Sequence, residues 1–354
     1  SGGLFCRKQG MFQGCAYLKG KGFAQWLTGK SKAENLNNMF EGCKDFQENL
    51  SAWKVDSVKS MRSLFANCKS FKGEGLNGWN VSKVTDMSYM FRECTKFTEN
   101  LKDWKVGKVK DFSYMFYNNS KIPTDFTNWD VSSGEMFKAM FSSCSDFTGE
   151  TLVGWNVSNG VNFDDMFANA SKFDADLNGW RLRSAVSTQQ MFANCKQFQQ
   201  ELKDWYVENI VNTTGMFSGC EKFNSDIRGW KFKNLQDMSR MFQHAAKFSR
   251  NLENWNVSNV RHMDSAFAYA KAFKGEGLDK WNVGECQTFN ATFKGAKNFE
   301  GDLSKWDLRS AEELAYMFEN ANVGKTDFSN WNVENITTMQ GLFKNAEGDI
   351  EDVS

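Results

Sequence analysis

Apolar residues recur along the chain in a repeat of 25 or 26 residues. Counted from the tryptophan of each repeat, they occupy positions +2, +5, +8, +11, +12 and +15, as in the repeat that begins at Trp79. From +5 to +15 this is the spacing of one face of a short helix. The tryptophan and the apolar residue two places later alternate with outward polar residues, as in a short strand. Each repeat is therefore predicted to contain a strand, a turn, a short helix and a return loop.

The repeats extend over almost the whole chain. All 13 tryptophans belong to the series, and a Met-Phe phrase recurs in step with them as far as Phe343. Where the spacing is 26, the extra residue precedes the leucine, as in KGEGLNGW, TGETLVGW and KGEGLDKW, so this corner is predicted to be a loop. A repeat of this size cannot bury its apolar face alone, and neighbouring repeats must stack.

The predicted fold is therefore an α/β repeat solenoid in one domain, with about 13–14 stacked units of a short parallel strand and a short helix. Residues 1–25 are expected to form an N-terminal half-coil or cap. Residues 26–346 are expected to form the solenoid, and residues 347–354 an acidic C-terminal cap.

The phrase MF..C..F...L..W.VSNV..M, which extends from Phe5 to about Ala346, resembles the repeat of the BspA-like leucine-rich-repeat surface proteins. That group includes the related repeat of mycoplasma surface lipoproteins. The resemblance implies a right-handed, leucine-rich-repeat-like solenoid, exposure at the cell surface, and a role in adhesion or protein binding without catalysis. Thr188 and Thr213 depart from the pattern, because they replace the methionine at +8.

Seven of the nine cysteines share position +15, where the other repeats have Ala or, once, Asn119. Because Ala and Cys exchange freely there, the position is predicted to need a small buried side chain. A ladder of disulfides would require β-carbons within about 4.5 Å, and a metal site is the other alternative, although no Cys-x-x-Cys occurs. Cys286 is predicted to be buried, and Cys6 is expected to be the most exposed. The seven cysteines are Cys15, Cys43, Cys68, Cys94, Cys144, Cys195 and Cys220.

The sequence predicts no catalytic, metal or cofactor site. His244 and His262 lie at different repeat positions, and the carboxylates are scattered over variable positions, so no acid–base pair stands out. The 43 basic and 43 acidic residues balance, which indicates no overall preference for nucleic acid. No apolar run approaches the ~18 residues of a membrane span.

Polar residues beside each tryptophan are predicted to form an outward strip on the sheet, a surface that many solenoids use for binding. In the middle of the chain this strip contains Arg and Tyr, which are favoured at interfaces. The alternative is a solvated sheet face. The predicted partner-binding residues are Arg181, Arg183, Tyr206, Lys231 and Lys233.

Basic residues are concentrated at the N-terminal end. Residues 1–32 contain six basic side chains and no acidic one, and residues 1–120 contain 19 basic and 11 acidic ones. We predict that this end contacts an anionic partner surface or a preceding segment, and the alternative is a chance gradient of charge. The residues expected to make this contact are Lys19, Lys21, Lys30 and Lys32.

Two functions are compatible with the sequence. The first is a surface or secreted module that binds protein partners. The second is a structural scaffold subunit within a larger intracellular or organellar assembly, which would suit nine cysteines without paired spacing.

Overall fold

The computed structural model describes residues 9–29, 32–348 and 350. The chain divides into two compact units, unit 1 up to Ala175 and unit 2 from Asp176, and each is described by itself. Within each unit, consecutive repeats are stacked, and isolated parallel β-bridges join residues at +7. These bridges run from Asn35 to Asn162 in unit 1 and from Ser187 to Thr338 in unit 2.

Main-chain hydrogen bonds continue this pairing beyond the bridges. The N–H groups at +8, +10, +12 and +14 donate to carbonyl groups of the next repeat. Thus the N–H groups of Ser63 and Phe65 donate to Ser88 O and Met90 O over 2.9 and 3.1 Å. The N–H groups at +11 and +13 close turns within their own repeat onto the carbonyl three residues earlier, as Leu64 does with Met61. The N–H at +9 donates to a side chain, as Ser88 does to Asp86 Oδ1 over 2.9 Å. From +8 to +14, four donors therefore join neighbouring repeats and two stabilise turns.

The helix predicted from +5 to +15 is absent from the described residues, and this prediction was wrong. In the repeats from Trp53 onward the residues at +10 and +14 have positive φ, as do Ser63 at 54° and Asn67 at 61°. The first spacing between tryptophans is 27, and the corresponding residues of that repeat are Asn38 and Gly42. A left-handed residue at every fourth position is incompatible with an α-helix, whereas a type II turn requires one at its third residue. The backbone at the tryptophans is also irregular, and the parallel pairing lies seven residues later.

The helices of the described residues are five 3₁₀ segments of three residues each: Phe23–Gln25, Leu76–Gly78, Glu150–Leu152, Leu278–Lys280 and Phe328–Asn330. Three of them lie at the corners with one extra residue, which form turns as predicted. Gly75, before the second segment, has φ 88°. A β-carbon at this position would lie 2.5 Å from Ser51 N, so the corner requires glycine.

The core of each unit consists of columns of identical side chains, as the apolar spacing predicted. All tryptophans except Trp26 are buried. In unit 1, the indole rings of Trp104 and Trp129 stack with centroids 6.5 Å apart, and Trp104 Nε1 donates to Leu76 O of the preceding repeat over 2.7 Å. The buried indole N–H of Trp104 thus has a hydrogen-bond acceptor on the main chain of an earlier repeat.

The cysteines of the described residues are free, as the exchange with Ala predicted for the seven at position +15. Eight cysteines fall among the described residues, none is in a disulfide, and all but Cys15 are buried. Cys15 was expected in the buried column, but it lies in the first described repeat and is exposed. Cys6 lies outside the described residues.

The thiols at +15 also make a polar contact. Cys94 Sγ lies 3.0 Å from Phe65 O of the preceding repeat, and Asn119 Nδ2 donates to the corresponding Phe91 O over 2.7 Å. Burial raises the pKa of Cys43 to about 11 and that of Cys144 to about 12. These groups are therefore protonated side chains of the core.

Candidate protein-binding surface

The predicted middle patch lies in unit 2, and three of its five residues meet there. The guanidinium carbon of Arg183 lies 5.9 Å from the centre of the Tyr206 ring. Lys233 Nζ lies 2.6 Å from Glu208 Oε2. Hydrogen bonds from Lys233 and then Tyr206 lower the pKa of the Glu208 carboxyl. We call Arg183, Tyr206, Glu208 and Lys233 the middle cluster.

The backbone that carries the middle cluster is not a strand: it is irregular at +1 and +2 and forms a turn or bend at +3 and +4. Asparagine side chains at +4 bind the +3 carbonyl of the preceding repeat. Asn209 Nδ2 donates to Arg183 O over 2.8 Å, and Asn259 Nδ2 to Lys233 O over 3.3 Å. These bonds fix the main chain beneath two of the charged side chains.

The other two residues of the predicted patch lie beside the cluster. Arg181 folds back, and its Nη1 donates to Asn178 O and Trp180 O over 3.1 Å each. Lys231 is exposed and contributes electrostatically to the lowered pKa of Glu208. It makes no ion pair with any residue of the described chain.

The predicted basic residues of the N-terminal end lie in unit 1. Lys19, Lys21 and Lys32 are exposed, and none of them is ion-paired within the part of the chain that the structure describes. Lys30 lies outside the described residues. The three exposed ammonium groups remain available to an anionic surface.

A second aromatic and basic group in unit 1 was not predicted. The rings of Tyr89 and Tyr114 stack with centroids 4.7 Å apart and planes 7° apart. Arg62 lies over Tyr89 at 4.7 Å, and Arg92 lies over Tyr117 at 5.6 Å. Partial burial raises the pKa of Tyr114. We call these five residues the tyrosine cluster.

Both stacked tyrosines of the tyrosine cluster occupy the left-handed position +10, with φ 61° at Tyr89 and 58° at Tyr114. Non-glycine residues pay a steric penalty there. The only signal in the sequence was the recurrence of Tyr at +10, a variable position. Unit 2 has a related arrangement, in which His244 stacks on Tyr269 at 4.7 Å and Lys294 lies 5.4 Å from the Tyr316 ring centre.

Neither surface resembles a metal centre. Among residues 9–29, 32–348 and 350, no three His, Cys, Asp or Glu side chains are placed to hold a metal ion together. No helix in this same part of the chain has the length and apolar character to span a membrane.

Comparison with protein families identifies the repeat. The family model described as "Mycoplasma protein of unknown function, DUF285" matches residues 7–127, 100–205, 176–279 and 250–354. The chain belongs to this family. The predicted relationship to the mycoplasma repeat is therefore confirmed. No functionally curated protein matches the DUF285 chain.

Solved structures similar to the DUF285 chain are leucine-rich-repeat proteins. One from Bacteroides ovatus is 10% identical, with 88% of each chain covered and a TM-score of 0.37. The internalin InlF of Listeria monocytogenes is 10% identical, with 95% of each chain covered and a TM-score of 0.21. A cell surface protein of Faecalibacterium prausnitzii is 12% identical over 83% of this chain and 84% of its own, with a TM-score of 0.30. At these TM-scores the likeness supports no further conclusion.

Proposed function

We propose that this DUF285 chain is a protein-binding module, displayed at the cell surface or secreted, that contacts its partner through the middle cluster. The observation that carries the proposal is the arrangement of Arg183, Tyr206 and Lys233 around Glu208 on an exposed surface. Arg and Tyr are among the residues that contribute most to binding at protein interfaces. The resemblance to BspA-like surface proteins supports the surface location.

The contacts within the middle cluster favour binding because they restrict the side chains before a partner arrives. Tyr206 is 39% exposed, so its ring is accessible although Arg183 lies against it. Lys233 and Glu208 form a short ion pair. Asn209 binds the main chain of Arg183, and Asn259 binds that of Lys233. Ordering side chains in advance reduces the entropy that association costs.

The test compares partner binding by three forms of the chain. Partners are recovered by cross-linking from membrane fractions and purified, and their affinities are measured by biolayer interferometry. The variant Arg183→Ala/Tyr206→Ala/Lys233→Ala is expected to bind about 30-fold or more weakly. Its matched control is Lys54→Ala/Lys105→Ala, because both lysines are exposed at +1 in unit 1. Equal affinities for the wild type and the triple variant would refute the proposed surface.

The basic N-terminal end is tested separately by charge reversal. Replacing its four lysines by Glu should abolish binding to an anionic partner surface and weaken the salt dependence of association. The melting temperature should remain nearly unchanged because the described lysines are exposed. Unaltered binding would leave the middle cluster as the candidate. The four lysines are Lys19, Lys21, Lys30 and Lys32.

The second candidate function is a structural scaffold subunit in a reducing compartment. The observation that favours it is that all eight described cysteines are free, which is typical of intracellular proteins. Titration of free thiols in unreduced protein from the native source distinguishes the two functions. Nine free thiols favour the scaffold, and oxidised thiols favour the surface module.

A further inference from the structure

The phenylalanine column at +18 is interrupted in unit 1. In the regular repeats of this unit a Phe at this position is buried and its N–H closes a turn, as Phe97 does onto Cys94 O over 2.9 Å. Ile122 replaces the Phe in the next repeat, and Phe126 stands four residues later where most repeats have Leu. The same exchange recurs in unit 2, with Gly324 and Phe328. The aromatic ring is thus moved along the repeat rather than lost.

The relocated ring, that of Phe126, packs within the core. Phe126 is fully buried, and its ring centre lies 5.7 Å from that of Phe116, 5.3 Å from Phe141 and 6.1 Å from Phe147. It meets Trp129 edge-on at 4.9 Å. The outer part of the +18 column, between Phe97 and Phe147, therefore has no ring of its own and contains only the half-exposed Ile122.

A cavity of about 460 Å³ lies at this interruption. Its apolar lining residues include Phe97, Ile122, Pro123 and Phe147. The polar lining residues are Lys121, Asp146, Glu150 and four threonines. Pro123 biases Ile122 toward an extended backbone. Within the described chain, the N–H of Ile122 has no hydrogen-bond partner, whereas that of Phe147 closes its turn onto Cys144 O over 3.1 Å. The cavity thus has aromatic side chains in its lining, and the unused main-chain donor of Ile122 belongs to one of its lining residues.

We propose that this cavity binds a phenylalanine side chain presented by an extended segment of a protein partner, with a carbonyl of that segment accepting from the Ile122 N–H. The inserted ring would restore the missing member of the internal column. Phe147 already packs on Phe173 of its other neighbour at 6.2 Å, so the cavity presents the same kind of contact that the column makes. Aromatic pairs at such distances attract beyond their buried area. The proposal rests on the proposed protein-binding function, for which it names a second contact.

The probe is a blocked peptide of residues 95–101, TKFTENL, which carries a column phenylalanine in its natural context. Its control is the same peptide with Ala in place of Phe97. Affinity is measured by isothermal titration calorimetry, and the site is located from the δ1-methyl signals of isoleucine. Only the Ile122 signal should shift, because no other isoleucine lines the cavity. The four other isoleucines serve as internal controls. These are Ile210, Ile227, Ile336 and Ile350.

Two variants at one position give opposite expectations. Ile122→Phe places a ring of the chain itself in the cavity and should weaken peptide binding about tenfold or more. Ile122→Ala leaves the cavity open and should bind at least as well as the wild type. The Ala-containing peptide should bind about tenfold or more weakly to both open forms. If Ile122→Phe does not fold, this peptide comparison on the wild type and Ile122→Ala decides the question.

Several outcomes would overturn the proposal. They are no binding of TKFTENL to the wild type, equal binding of the two peptides, or a methyl shift at an isoleucine other than Ile122. Binding of small aromatic molecules but of neither peptide would indicate a different occupant. The triple variant of the middle cluster should bind TKFTENL like the wild type. If the peptide fails while partner binding still depends on Arg183, only this inference is refuted and the proposed function stands.

Discussion

Replacing Trp104 tests whether the stacked columns stabilise the fold. Its side chain is 1% exposed, so Trp104→Ala removes a whole buried ring and should cost about 3–5 kcal/mol. Loss of the hydrogen bond from Nε1 to Leu76 O accounts for a smaller part of this cost. Leu76 O also accepts from Trp79 N over 3.0 Å, so the carbonyl keeps one partner when the indole is lost. Trp104→Phe, which keeps most of the ring, should therefore cost only about 1–2 kcal/mol.

The measurement is guanidinium unfolding followed by far-ultraviolet circular dichroism, with hydrogen exchange to localise the effect to unit 1. Phe91→Ala, in the neighbouring column, should cost about as much as Trp104→Ala. The control is Lys105→Ala, which alters the exposed residue next in sequence and should cost less than about 0.5 kcal/mol. If Trp104→Ala and Lys105→Ala shift the transition equally, the column arrangement is refuted. If Trp104→Phe is as damaging as Trp104→Ala, the hydrogen bond outweighs burial.

Three further predictions concern the cysteines and the turns. Cys68→Ala and Cys195→Ala should fold and melt within a few degrees of the wild type, because Ala occupies that column elsewhere; loss of folding in either would show a role beyond filling space. The pKa of Cys144 is about 12 in the folded chain but about 8.5 when unfolded. Above about pH 8.5 the thiol therefore loses its proton in the unfolded state but keeps it in the folded state. The free energy of unfolding should fall by up to about 1.4 kcal/mol per pH unit for each such thiol. In thermal melts from pH 8 to 10, the melting temperature of Cys144→Ala should decline less steeply than that of the wild type. At Asn67, with φ 61°, Asn67→Gly should be nearly neutral and Asn67→Val should cost about 1–2 kcal/mol in urea unfolding, and equal effects would contradict the left-handed turn.

The sequence predicted the buried columns correctly because burial depends on side-chain spacing, which the repeat displays thirteen times over. It could not predict the backbone between them. The spacing of Met61, Leu64, Phe65 and Cys68 fits one face of a helix. It also fits two successive turns whose alternate N–H groups bind the next repeat. Whether this segment forms a helix or turns depends on hydrogen bonds to residues about 25 positions away. The local sequence pattern contains no information on those bonds.

The candidate sites, like the fold, were predicted only in part. Arg183, Tyr206 and Lys233 were predicted from their outward positions beside the tryptophans. The structure brings them together because +1 and +3 of adjacent repeats lie side by side. Glu208, which links them, was not predicted, since its role depends on side-chain direction rather than spacing. The tyrosine cluster was missed because +10 was placed on a helix instead of at a left-handed turn.

The direction of the ladder hydrogen bonds gives each unit an electrical polarity. In the repeat that begins at Trp104, four main-chain N–H groups point toward the later repeat, and two, those of Lys110 and Asp111, point back to Thr85 O. Aligned peptide groups add their dipoles, so the positive pole lies at the later repeats and the negative pole at the earlier ones. At the earliest described repeat of unit 1 the charged side chains oppose this field, because Lys19, Lys21 and Lys32 precede Glu34, the first acidic residue of the chain. The early end of unit 1 thus holds charges of the sign that its backbone attracts, and replacing these lysines by acidic residues would place like charge against like.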